Sequence, residues 1–203
     1  MKDQIRNHVI YHWWKYLAVI IFSIVLWVSV FNSLKAPAPN QRLNITFVGD
    51  KFDSALFEQD LKVILPEIKG KQNIKAVFAE SVSYENEYTL NTIIATRCLG
   101  ETDLIVISES VLADFDVSGY FVPLTEEIVK AEFGGVETYS VNDTVYGIKL
   151  SGTEKFSKYY ADTQNCYVFV TGISENFGAL NGKGDTEDRV AISLIKYLTE
   201  VAE

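Results

Sequence analysis

Two histidines, two cysteines and a scatter of serines and carboxylates are the groups with which this chain could do chemistry. His8 and His12 both precede a long apolar run, and no histidine occurs after position 12. At i and i+4 on a helix they could share a metal or sense pH; the plainer reading is two polar residues beside that run. Residues 43–203 therefore cannot assemble a Ser-His-Asp or Cys-His nucleophile, nor a zinc site containing histidine. Cys98 and Cys166 are either two buried thiols or a disulfide, which needs Cα atoms within about 7 Å. Ser108 with a lysine base is the best nucleophile that can be constructed, and no G-x-S-x-G elbow supports it. The glycine-rich stretch Gly178–Gly184 lacks the spacing of a phosphate-binding loop. These residues predict a protein that is not an enzyme and carries no cofactor.

The other polar groups gain meaning from where strands end. Gly49-Asp50, Glu80-Ser81 and Ser108-Glu109-Ser110 each follow a β-branched, apolar stretch. Parallel α/β sheets take ligands at the carboxyl ends of their strands. Asp50, Ser81, Ser108, Glu109 and Ser110 are therefore the candidate ligand-binding residues, and their carboxylates suit a cation or an amine better than an anion. The same residues also cap helices and satisfy loop backbone. A calcium site drawn from Asp50, Glu80 and Glu109 is the metal alternative, although their spacing specifies none.

The elements that must position these groups begin after Leu17–Phe31, LAVIIFSIVLWVSVF, which holds no charge, Gly or Pro. Residues 16–34 match the roughly 20 helical residues that cross a ~30 Å hydrocarbon core, with Trp13, Trp14, Tyr16 and Trp27 toward the ends as interfacial rings. Lys2, Arg6 and Lys15 against Asp3 predict a cytoplasmic N-terminus (residues 1–15) and an exterior C-terminal part: a single-pass anchor at the cell membrane, with signal cleavage as the alternative. The chain's net charge is −9, with +3 in residues 1–35, so the remainder is strongly acidic. That argues against nucleic acid as a partner. Residues 35–42, KAPAPNQR, read as an extended linker.

Residues 43–203 read as one α/β domain. Strands are predicted at Leu43–Val48, Ile74–Phe78, Asp103–Ser108 and Cys166–Thr171, with a hairpin of Thr138–Val141 and Thr144–Leu150 turning at Asn142-Asp143. Helices are expected from Ser54 to a stop at Pro66, after Ser83 with Tyr84, Tyr88, Ile94 and Leu99 inward, over Val111–Phe115, Glu126–Phe133 and Thr186–Val201. Residues 151–164 are not assigned. Three strand–helix alternations imply an open, mainly parallel sheet with helices on both faces.

The strand DLIVISES, the piece Gly119-Tyr120-Phe121-Val122-Pro123-Leu124 and the hairpin with Tyr146-Gly147-Ile148 resemble the first lobe of extracellular solute-binding proteins, the type 2 periplasmic-binding fold that serves ABC importers. Lys149 stands where that family has proline. The resemblance implies a ligand near the hairpin, adding Tyr146 to the candidates, and a strand Cys166–Thr171 that returns to lobe one. It also implies a protein twice this long, with a second lobe where residues 151–164 stand. The expectation is thus an anchored binding or interaction module that contacts a protein partner or a small solute. The alternatives are a true receptor closed by homodimerisation or by residues 151–164, and a hydrolase.

Overall fold

The computed structural model describes the backbone of residues 2–35, 37–49, 52–68, 70, 73–83, 86–98, 100, 102–112, 115–150, 152–160, 165–178 and 189–199, without the side chains of residues 2–10, 34, 87 and 98. The chain divides into two units, Met1–Pro37 and Ala38–Glu203.

The first unit is helix α1, Lys2–Lys35. Its stretch Tyr11–Ser33 is long and apolar enough to cross a membrane, and its side chains are exposed along its length. The two hydroxyls that interrupt the apolar surface bond inward, Ser23 to the Val19 carbonyl at 2.8 Å and Ser33 to that of Ser29 at 3.0 Å. That removes the cost of presenting a bare donor to hydrocarbon. After it, Pro39–Gln41 form one 3-10 turn, so the predicted linker is not extended throughout.

The second unit is built on a six-stranded sheet of order β2-β1-β3-β6-β5-β4. The strands are β1 Arg42–Val48, β2 Ala76–Val82, β3 Leu104–Ser108, β4 Thr138–Val141, β5 Thr144–Lys149 and β6 Cys166–Val170. β1 pairs in parallel with β2 and β3, while β3–β6, β6–β5 and β5–β4 are antiparallel. The sheet is mixed, parallel in one half and antiparallel in the other.

Strict alternation sends the two faces of β1 and β3 into different cores. Leu43, Ile45, Phe47, Leu104 and Val106 pack with Phe57 and Leu61 of α2 (Ser54–Ile68) and with Leu194 and Ile195 of α7 (Val190–Thr199). On the other face Val48, Ile105, Ile107, Tyr167 and Phe169 meet Leu90 and Ile94 of α3 (Glu87–Cys98) and Val111 and Leu112 of α4 (Glu109–Leu112). The remaining helices are α5, Glu126–Phe133, and α6, Glu154–Ser157. The crossovers from β1 to β2 and from β2 to β3 run in opposite directions along the sheet. Kept right-handed, they must place α2 and α3 on opposite faces, as observed.

Several expected boundaries move. α2 runs past Pro66 to Ile68, because a proline in the last turn forfeits only one intrahelical bond. β2 starts later and ends later than Ile74–Phe78, since all seven of its residues register with Arg42–Val48. Glu80 and Ser81 thereby lie in a strand rather than a loop. Tyr88 is 82% exposed, and α3 packs through Leu90 and Ile94 instead. α4 begins at Glu109, two residues before the predicted start. The predicted N-terminal turn of the last helix lies outside the described residues. Thr125 caps α5, accepting from the Ile128 N–H at 3.3 Å. The hairpin turn is of the mirror-image kind, with Asn142 and Asp143 at φ 49° and 63°.

Residues 151–164 contain α6, and Phe156 and Tyr159 are buried. Their rings join Phe52 and Phe57 in one aromatic cluster, and the Tyr159 hydroxyl donates to Asp60 at 2.8 Å. Lys158 pairs with the same carboxylate at 2.8 Å, which holds Asp60 below the usual carboxylate range. The described part of this segment therefore belongs to the core of the lobe.

At the amino edge of the sheet a polar knot joins β1, β3 and the turn after β6. The buried Asp103 accepts from the Asn44 N–H at 2.9 Å, the Ser174 hydroxyl at 2.8 Å and the Asn176 amide at 3.0 Å. Burial outweighs these bonds and pushes its carboxyl up to about 6.

Candidate functional site

The carboxyl ends of β1 and β3 are where the chain leaves the sheet in two directions. The chain leaves β1 toward the face covered by α2 and leaves β3 toward the face covered by α3 and α4. Neighbouring strands whose exits diverge form a topological switch point, the place where open α/β sheets receive ligands. Gly49 closes β1 at φ 134°, a value that only glycine adopts without strain. Ser108, Glu109 and Ser110 stand at the end of β3.

The predicted site residues divide accordingly. Ser108 and Ser110 are brought together, their hydroxyl oxygens 3.1 Å apart. Glu109 is exposed and accepts from the Asn165 amide at 2.7 Å, while its own N–H donates to the Asn165 carbonyl at 2.8 Å. Ser81 reaches across from β2 and donates to the Gly49 carbonyl at 2.7 Å, so it shapes the β1 turn. Asp50 lies outside the described residues.

Tyr146 is not at this rim. β5 runs in the direction of β3, and Lys149, not Tyr146, is level with Ile107 through Tyr167. Three residues back, Tyr146 packs half-buried against the face of α3 and α4. Glu80 is also displaced from the rim: within β2 it accepts from Thr46 at 3.1 Å and pairs with Arg97 at 3.2 Å. The calcium grouping is thus not assembled from Glu80 and Glu109, and no metal-like cluster of acidic, His or Cys side chains forms among the described residues. Cys166 is buried opposite Ser108, whereas the side chain of Cys98 is outside the described residues, and with it the choice between two thiols and a disulfide.

Asn165 and Tyr167 lie near the rim and escape a strand-end reading, and Tyr139, one register position beyond Tyr146 on the same face, reaches Tyr167 through its ring. The rings of Tyr139 and Tyr167 meet edge to face at 5.4 Å. Burial, and then the charge of Glu109, raise the Tyr139 phenol, and burial with Glu109 and Glu137 lifts Tyr167 to about 12. Burial is the larger cause for both rings, with the carboxylates adding to it. The one cation described beside them, Lys149, is held by Glu137 at 2.7 Å. The rim is a hydroxyl-rich, acidic ledge that favours a neutral polar group or a cation and repels anions. The alternation of Tyr167 and Phe169 on β6 is the signal that would have found Tyr167, while Tyr139 stands alone on β4.

Comparison with protein-family models, with curated proteins and with solved structures finds no match to this chain. Its class is the one the fold defines: a mixed, open α/β sandwich preceded by a single helix of membrane-spanning length.

Proposed function

We propose that this protein is a membrane-anchored, non-enzymatic binding module that presents the β1–β3 switch point outside the cell to a small polar solute or a protein partner. The observation that carries the reading is the rim itself: divergent strand exits with the Ser108–Ser110 pair, Glu109 and the two tyrosines gathered beside them. The basic N-terminal residues and α1 support an anchor with the N-terminus inside. The resemblance to one lobe of a solute-binding protein is supported by β6, which returns from late in the chain to lie antiparallel beside β3. It gains no support from residues 152–160, which pack into the lobe instead of standing in for a second one. A solute would therefore meet one wall, and a second copy of the chain or a partner would supply the other.

The test is the melting temperature of the full chain in detergent against sugars, amino acids, amines, peptides and divalent cations. A ligand at 100 times its Kd stabilises by about 2.7 kcal/mol, a shift of several degrees for a protein of this size at roughly 2–4 °C per kcal/mol. The shift should vanish in Ser110→Trp, whose indole covers the end of β3. A shift that survives this substitution removes the rim from the reading, and a flat panel leaves the protein-partner form alone.

A further inference from the structure

A sheet covered on both faces should be apolar on both, and β1 and β2 are not. On the α3 side the face carries Arg42, Asn44 and Thr46 of β1 beside Phe78 and Glu80 of β2. α3 covers only part of it. Leu90 and Ile94 dock the first half of the helix, while the Thr92 and Thr96 hydroxyls bond back to the carbonyls of Tyr88 and Thr92, and Gly100 adds no side chain. Under the last turn a cleft of about 470 Å³ remains, lined among others by Arg42, Asn44, Phe78, Glu80, Arg97 and Thr102.

The lining is chemically two-sided. Two arginines, Arg42 and Arg97, line the cleft in a domain that is otherwise strongly acidic. Against them stand the Glu80 carboxylate and the carboxyl-terminal carbonyls of α3, where the helix dipole is negative. Arg97 and Glu80 pair at 3.2 Å yet keep 45% and 44% of their side chains exposed, so each has room for another partner. The Phe78 ring is 50% exposed between them and solvent. A fully apolar ligand would strand these polar groups, and a simple anion would meet Glu80 and the helix terminus.

We infer that the cleft beneath α3 binds a small amphoteric molecule, its carboxylate against Arg97, its amine or hydroxyl donating to Glu80, and an apolar body on Phe78. A planar guanidinium offers a carboxylate two parallel hydrogen bonds, the strongest such contact available. An extended peptide is disfavoured, because adding a strand to the edge of β2 needs the Ala79 N–H, which Glu58 of α2 already occupies at 3.2 Å. This site lies on the sheet face and is independent of the rim at the strand ends.

The experiment titrates the isotope-labelled full chain in detergent micelles with phenylalanine, benzoate and phenethylamine, following backbone amide resonances. Phenylalanine should give saturable shifts at Phe78, Glu80, Arg97 and Thr102, with benzoate weaker and phenethylamine weaker still. Arg97→Gln, on an exposed helix position, should lower the affinity for phenylalanine about tenfold, the worth of roughly 1.4 kcal/mol; Phe78→Ala, also exposed, gives an independent loss should the first variant perturb the fold. Shifts confined to Ser108–Ser110, no saturable shift with phenylalanine, or unchanged affinity in both variants would overturn the inference.

Discussion

Asp103 ties three segments together at a cost that depends on pH. Its carboxyl is raised from 3.8 to about 6 chiefly by burial. A raised acid favours folding most when it is protonated in both states, below the unfolded value, and that contribution disappears as pH climbs through the folded one. At about 1.4 kcal/mol per pH unit the gap amounts to roughly 3 kcal/mol. Denaturant unfolding of the full chain should thus show this contribution lost between about pH 4 and pH 7. Asp103→Asn should flatten that window. It should also be less stable by roughly 1–3 kcal/mol, because its amide would face the donors of Asn44, Ser174 or Asn176. Glu58 and Asp60, whose carboxyls are lowered by Lys62 and Lys158, act with the opposite sign, contributing above their usual range and losing it as pH falls; both lysines are more than half exposed, so solvent screens the pairs and the contributions are weak.

Gly147 makes a second case at this scale. A Cβ there would lie 2.7 Å from one Phe169 ring carbon and 2.9 Å from another. The ring cannot yield, since it stacks on Phe121 at 4.7 Å and takes the edge of Tyr139 at 5.7 Å. Gly147→Ala should cost about 1–3 kcal/mol of overpacking, read as a drop of several degrees in Tm. The Tyr-Gly-Ile triplet was readable as a motif, but the reason for its glycine is a contact with a residue 22 positions away. Lys149, which departs from the proline of the family pattern, is explained in the same way. Its N–H donates to the Glu137 carbonyl at 2.9 Å, a bond proline could not make.

Among the elements, β3 was readable because Leu104–Ile107 is an unbroken apolar run, and α5 because Thr125 precedes an amphipathic stretch. β2 was misplaced because Glu80 looks like loop punctuation until Arg97 and Thr46 are known to receive it. The serines at the end of β3 could be chosen from sequence, since strand ends are local features. The cleft under α3 could not, because it exists only through how far a helix stands from two strands. The β4–β5 hairpin offers a test at this scale. Asp143 holds φ 63°, a region where a Cβ is disfavoured. Asp143→Gly should therefore raise stability by a few tenths to about 1 kcal/mol, less the entropy glycine adds to the unfolded chain, as a small increase in the midpoint of urea unfolding.

At the scale of the molecule the sheet has two halves with different histories along the chain. β2, β1 and β3 all precede residue 109 and can pair once β3 has been made, whereas β3 gains its other neighbour only when β6 arrives. Roughly 60 residues separate the end of β3 from the start of β6, and at about 5–20 residues per second their synthesis takes several seconds. Throughout that interval the most apolar strand of the domain has one bare edge. Glu58 guards the corresponding edge on β2 from an early helix, but the described residues offer β3 no such guard before Cys166. A ribosome that stalls between these strands would thus release a chain with an adhesive seam, and β6 is the latch whose timing decides whether the nascent protein closes on itself or on a neighbour.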